Sequence, residues 1–247
     1  MSRITKFLLK ITFKKAIIKL KTIVLPLIKK TSYYEEVWES RPLEDVKKYI
    51  PDQDRPSRDW LASEIKTSLQ HFKIENPKIL EVGCDLGANL FSLKKILTEN
   101  SELIGADISH ASITSAKKYM ESLESPNIKF YQAKADDLSI FDDNYFDVVF
   151  TDAVLLYVAD DKINQAVNEM MRVSKKMIFL LELSSQNNSA KANHTLDGWI
   201  RNYKTLIESN NAECDVSISN VTIDIRSAGR WPSQGELIKA VSSNNFI

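Results

Sequence analysis

The sequence predicts an α/β fold: a mostly parallel sheet with helices on both faces, preceded by an N-terminal helical extension. Three observations carry this. Strand-like and helix-like segments alternate from Asn76 onward, which is the pattern of a sheet crossed by helices. The runs ILEV, DVVF and MIFLL are almost wholly apolar, as expected of central strands covered on both sides. With 247 residues, 43% hydrophobic and 27% charged, the chain is long and apolar enough to bury one sizeable core plus appendages.

Taken in order, apolar residues at Trp60, Leu61, Ile65 and Leu69 have a helical period over residues 59–72. The first strand is KILEVG, followed by a helix over 88–97. The second strand, ELIGAD, ends in Asp107, and a helix over 109–123 follows. Next come the strands IKFYQA and FDVVFTD, a helix over 162–173 and the strand MIFLLEL. The tail reads as a helix over 196–208, a strand pattern over 214–225 and a turn over 227–231, with late strands forming an antiparallel edge. Residues 31–58 carry Pro42, Pro51 and Pro56 and read as short helices and turns. Their YYEEVW run is either a lid over a pocket or aromatic packing on the core. The expected organisation is therefore a basic leader (1–30), a linker or lid (31–58) and a catalytic domain (59–247).

The 33 basic and 33 acidic residues balance, but unevenly along the chain. Residues 1–30 hold Arg3, eight lysines and no acid, which leaves 24 basic against 33 acidic residues in the remainder. A nucleic-acid-binding body is disfavoured, because no basic patch is left outside the leader. The longest uncharged stretch of the leader, Thr22 to Ile28, has seven residues, against the ~20 needed to span a membrane. Charges spread through the apolar region and the missing small-residue cleavage site also speak against a secretory signal. On a helix, Ile4, Phe7, Leu8, Ile11 and Ile18 share one side, whereas Phe13, Ile17, Leu20, Val24 and Leu27 fall roughly opposite. The functional expectation is an interfacial segment on an anionic membrane surface, and the alternative is packing on the domain or a partner. Two cysteines, Cys84 and Cys214, and three histidines show no metal-ligand spacing, and a reducing cytoplasmic compartment follows as the expected location.

The chemistry concentrates in Glu81-Val-Gly83-Cys84-Asp85-Leu-Gly87, where the first strand hands over to the first helix. Ligands of open α/β sheets bind outside the carboxyl ends of the strands, and Gly83 and Gly87 let a ligand approach the main chain. A dinucleotide site would want G-x-G-x-x-G, which is absent. Asp107, about twenty residues on, ends the second strand, where a carboxylate can accept both hydroxyls of a ribose. Adenosine bound without a pyrophosphate fits this spacing best.

These residues resemble class I S-adenosylmethionine-dependent methyltransferases, whose first motif is typically E/D-x-G-x-G-x-G. Asp85 stands here at the middle glycine. ILEVGCDLGANL is similar to methylases of pseudaminic acid and surface-glycan biosynthesis, and the likeness runs from Lys78 to about Leu183. It implies a Rossmann-like, seven-stranded sheet and S-adenosyl-L-methionine as cofactor. By position, it implies that Glu81 orients the loop or meets the methionine amino group, and that Gly83, Cys84 and Gly87 line that moiety with backbone. Asp107 would hold the ribose and Ile108 would pack on adenine. Family members commonly place an aspartate where Lys134 stands, so adenine contact passes to Ala135 and Asp136. Asp147, in DNYFDVV, takes a structural place. The fourth strand ends in Thr151 and Asp152, with Thr151 beside the cofactor and the strand end facing the transferable methyl. Asp152, Tyr157 and Glu182 are then the side chains expected to reach an acceptor. Asp152 has an equal claim to capping the next helix, and His194 reads as a surface or capping residue rather than a base.

The implied function is methyl transfer to O or N of a small molecule, with a sugar or lipid-linked glycan precursor as the acceptor. Competing readings are an NAD-linked or nucleotide-sugar oxidoreductase and a non-catalytic, membrane-associated adaptor with a vestigial pocket. The first lacks both the third glycine and a Tyr-x-x-x-Lys pair after the fourth strand.

Overall fold

The computed structural model describes residues 33–42, 56–122, 127–185, 193–195, 198–211, 213–222, 224–226 and 231–243. The expected leader, residues 1–30, lies outside them, as does much of the linker. The described elements run α1 (Tyr33–Glu39), α2 (Pro56–His71), β1 (Lys78–Val82), α3 (Ala88–Lys94), β2 (Glu102–Asp107), α4 (His110–Ser122), β3 (Ile128–Gln132) and β4 (Phe146–Asp152). A single 3-10 turn, Leu155–Tyr157, leads to α5 (Ile163–Val173), β5 (Ser174–Leu183), the short pair β6 (Asn193–Thr195) and β7 (Gly198–Ile200), α6 (Tyr203–Asn210), β8 (Cys214–Asn220), α7 (Trp231–Gln234) and β9 (Gly235–Ser242).

Seven strands form one sheet in the order β3-β2-β1-β4-β5-β9-β8, parallel except for β9, which runs antiparallel to both β5 and β8. This is the Rossmann-like sheet with helices on both faces that the sequence implied. Alternation along the strands divides the core. Leu80, Val149 and Ile178 pack with Val167 and Met170 of α5 and Tyr203 and Ile207 of α6. Their neighbours Ile79, Val148 and Phe179 face Leu61 and Ile65 of α2, Leu90 of α3 and Ile113 of α4. Helix α5 shows why such a segment docks: Ile163, Ala166, Val167, Met170 and Met171 recur at one-turn spacing and all are buried.

The tail is where the sequence reading and the structure differ. The helix expected over 196–208 begins only at Tyr203, and Gly198–Ile200 is strand. Gly198 has φ 118, and a Cβ on it would lie 2.5 Å from the carbonyl oxygen of Leu156, so the chain must pass this point extended and without a side chain. Helix α6 starts where Asn202 accepts from the amide of Thr205 at 3.1 Å. The strand read over 214–225 stops at Asn220, and the last sheet strand is Gly235–Ser242.

Candidate active site

The sheet order reverses between β1 and β4, and the crevice this creates opens at their carboxyl ends. A cavity of about 410 Å³ lies there, within the usual size of small-ligand sites. One wall is the turn after β1. Gly83 (φ 75), Asp85 (φ 46) and Gly87 (φ 77) are all left-handed, and the amides of Gly83 and Cys84 both donate to the carbonyl of Ala106, at 2.7 and 3.0 Å. The turn is thereby pinned to β2. Gly87 does not line the cavity. Its need for glycine is packing, since a Cβ would meet the Phe130 ring at 2.6 Å.

Two carboxylates face this wall. Glu81, 2% exposed, takes the Asn89 amide at 2.7 Å on one oxygen, while its other oxygen is buried without a hydrogen-bond partner. Burial holds its pKa well above the ordinary carboxylate range, the Asn89 bond opposes this, and the nearby Asp152 charge reinforces it. An orphaned buried carboxylate oxygen fits an ammonium group. Asp107 accepts from the amides of Ser109 (2.8 Å) and Asp85 (2.9 Å), one on each oxygen. A carboxylate has about four acceptor sites, so capacity remains for a vicinal diol. Burial raises its pKa to about 6 against those two donors. Ile108, Ala135 and Asp136 line the adjoining end of the cavity, Cys84 contributes to the wall, and burial pushes its thiol pKa up.

The opposite wall is the end of β4. Asp152 is ion-paired to Arg226 at 2.6 Å and reached by Asn89 at 3.3 Å. Arg226 in turn lies 3.9 Å over the Trp231 ring. The Tyr157 ring meets Tyr34 and Trp38 of α1 at 5.4 and 5.2 Å between centroids. Asp152, Tyr157, Trp38 and Arg226 all line the cavity.

Besides Gly87, two expected site residues are placed elsewhere. Glu182 is fully buried and does not line the cavity. Its carboxylate accepts from the Thr151 hydroxyl (2.9 Å) and from the amides of Val154 and Leu155 (both 3.0 Å), with Leu156 at 3.4 Å. It is the cap of the 3-10 turn, and Thr151, equally buried, is its partner rather than a cofactor contact. Burial raises the Glu182 pKa to about 7. Arg201 holds the other end of the turn, donating to the carbonyls of Leu155 and Val158 at 2.9 and 2.7 Å. Asp147 has the structural place expected, accepting from the Lys78 amide at 2.9 Å and so joining β4 to the start of β1. Asn89, Arg226, Arg41 and Lys162 also line the cavity and had not been singled out. Only the position of Asn89, the second residue of α3 just past the glycine turn, offered a signal in sequence.

A mostly parallel sheet with a switch-point crevice, a glycine turn and a strand-end carboxylate defines a nucleoside-binding α/β protein. Residues 79–177 match the family described as "Methyltransferase domain". Over these residues the chain is similar to a methyltransferase domain, in keeping with the S-adenosylmethionine-dependent class that its motifs resemble. An uncharacterized protein of Rickettsia prowazekii, RP789, is 30% identical over 132 residues, which is 51% of this chain and 21% of that protein. Mouse arsenite methyltransferase is 27% identical over 112 residues, 42% of this chain and 29% of that enzyme. The matched regions thus span less than a third of either relative. In fold, the chain is similar to magnesium protoporphyrin IX methyltransferase from Synechocystis, solved with S-adenosylmethionine bound, at a TM-score of 0.57 and 14% identity, covering 85% of this chain and 95% of that one. Among the described residues, no helix is long and apolar enough to cross a membrane, and no cluster of histidine, cysteine and acidic residues could hold a metal ion.

Proposed function

We propose that the protein transfers the methyl group of S-adenosylmethionine to an oxygen or nitrogen of a small molecule, with a sugar or lipid-linked glycan precursor as the acceptor class. The observation that carries this is the two-walled cavity, with the carboxylates of Glu81 and Asp107 on the β1–β2 side and a polar and aromatic set on the β4 side. Glu81 would hold the cofactor's ammonium, Asp107 its ribose, and Ile108, Ala135 and Asp136 its base. The bound cofactor supplies an electrophilic methyl on a sulfonium, so what the chain must add is in-line placement of the acceptor and exclusion of water. Trp38 and Tyr157 offer flat apolar faces, and Asp152, Asn89 and Arg226 offer polar groups, the mixture a sugar ring requires. A hydroxyl acceptor must also lose its proton, and Asp152, held by Arg226 and Asn89, is the carboxylate on that wall to take it.

Labelled S-adenosylmethionine incubated with nucleotide sugars and lipid extracts tests the acceptor class, beside titration calorimetry with S-adenosylhomocysteine. Binding without label transfer to any sugar-bearing fraction would sink the acceptor class. Failure to bind at high micromolar concentration would sink the enzyme reading itself. The basic leader, residues 1–30, supports a peripheral place at the cytoplasmic face of an anionic membrane. Full-length protein should float with anionic liposomes, less so in high salt, and a chain lacking residues 1–30 should not. Equal flotation of both would refute it.

A further inference from the structure

Asp85 and Lys134 are the two positions at which the chain departs from its family's pattern, and both are anchors of the same element. Asp85 sits at φ 46, a conformation that glycine adopts freely and a residue with a Cβ does not. Its carboxylate oxygen Oδ1 takes the Arg41 guanidinium at 2.7 Å and the Ser112 hydroxyl at 2.9 Å, and the Arg41 side chain is only 10% exposed. Lys134 meets Glu35 at 2.6 Å and Glu39 at 3.9 Å, both in α1. The other Glu35 oxygen takes Lys162 at 2.7 Å, and Lys162 also reaches Asp136 at 3.1 Å. Burial of Glu35 opposes its ionisation, yet the two lysines overcome this and hold its pKa below the ordinary value.

Helix α1 has no fully buried residue, so it lies on the surface of the domain rather than in its core. Its place rests on these charge pairs and on the rings of Tyr34 and Trp38 against Tyr157. Every anchor belongs to a segment that lines the cavity: the turn after β1, the loop after β3, the 3-10 turn and the start of α5. Glu35, Trp38 and Arg41 line it from the α1 side.

We propose that Asp85 and Lys134 are positioning residues which fasten α1 to the cofactor-binding loops, so that α1 stands as the acceptor-side wall only when those loops are in place. This rests on the methyltransferase reading for its consequence in turnover, but not for the fastening. The departures from pattern are then one device. A glycine at 85 would relieve the backbone and release Arg41, and an acid at 134 would repel Glu35.

Hydrogen exchange over residues 33–42, measured on the full-length chain with and without S-adenosylhomocysteine, tests this. Asp85→Gly, Arg41→Ala and Lys134→Ala should each speed exchange in this segment by about 3-fold or more, whereas Arg41→Lys, which keeps the charge, should stay near the parent protein. The double change Asp85→Gly with Arg41→Ala should be no faster than Arg41→Ala alone, because truncating Arg41 already removes the Asp85 fastening along with the contact of Arg41 over the Trp38 ring. Raised salt should mimic the variants. Unchanged exchange in Arg41→Ala overturns the proposal, as does a double variant that exchanges faster than Arg41→Ala alone. Should the parent protein fail to bind S-adenosylhomocysteine, the methyltransferase reading falls while the exchange data still decide the fastening.

Discussion

The two walls of the crevice are built by different means. The cofactor wall comes from a short, continuous stretch: Glu81, the turn through Gly87, Asn89 and Asp107 all lie within β1, α3, β2 and their connections. Its shape is set by backbone, with left-handed residues, amides on the Ala106 carbonyl and amides on Asp107. The acceptor wall is assembled from Trp38, Asp152, Tyr157 and Arg226, brought together from widely separated parts of the chain. Side-chain pairing and ring contact hold it. A wall made of backbone geometry suits one fixed ligand, whereas a wall made of side chains can be altered one residue at a time, with Asn89, which reaches both Glu81 and Asp152, as a link between the two.

That separation predicts unequal losses. Asp107→Ala removes an acceptor of charge-assisted hydrogen bonds and leaves two amides unsatisfied, so affinity for S-adenosylhomocysteine should fall about 10- to 100-fold by titration calorimetry. Trp38→Ala on the opposite wall should change it by less than about 3-fold and raise the acceptor KM instead. Comparable losses of cofactor affinity in both variants would show that the walls are not independent.

The same contrast explains what could be read without a structure. The cofactor wall was legible because its function depends on local spacing: a glycine turn at a strand end and a carboxylate at the end of the next strand survive as sequence patterns. The apolar runs of β1, β4 and β5 likewise placed the sheet. Of the acceptor wall, Asp152 and Tyr157 were expected from the end of the fourth strand and line the cavity, whereas Trp38 and Arg226 were not, because nothing local relates Asp152 to Arg226 or Tyr157 to Trp38. Glu182 is the instructive case. A carboxylate near the end of an apolar strand looks like a site residue from its neighbours in sequence, yet its partners are amides 26 to 28 positions earlier. Likewise, the extended path at Gly198 is imposed by the Leu156 carbonyl, which no periodicity around 198 reveals.

Glu182 supports the acceptor wall by fixing the turn that carries Tyr157, so the next largest effect falls on stability. Glu182→Leu strands the Thr151 hydroxyl and at least two buried amides, and urea denaturation should show a loss of about 2–4 kcal/mol. A loss under about 1 kcal/mol would mean the turn is held mainly by Arg201. The pH dependence has a defined sign. Because burial raises the folded pKa of Glu182 to about 7 from an ordinary 4.5, the folded state binds more protons between those values. Its contribution is fully present below about pH 4.5 and is lost as pH rises through about 7. Glu182→Gln cannot titrate, so its stability should fall less steeply across that window. Asp107, raised to about 6, keeps part of the slope in the variant. An unchanged slope would place the titration elsewhere.

The smallest expected effect concerns the backbone of the acceptor wall. The cofactor turn meets two of its left-handed positions with Gly83 and Gly87, but the turn after β4 places Ala153 at φ 60, with its amide fixed on the Leu181 carbonyl at 2.9 Å. A left-handed alanine costs about 1–2 kcal/mol relative to its preferred conformations. Glycine would remove that strain while losing up to about 1 kcal/mol through greater freedom in the unfolded chain. Ala153→Gly should therefore stabilise the protein by about 0.5–1 kcal/mol in urea denaturation. Since Ala153 lines the cavity between Asp152 and Val154, the same change loosens the carboxylate's placement and should lower turnover. Greater stability with reduced turnover is the signature of strain held for positioning. A variant no more stable than the parent would show that the bonds of Glu182 and Arg201 to this turn already absorb the strain, leaving the two walls alike in this respect.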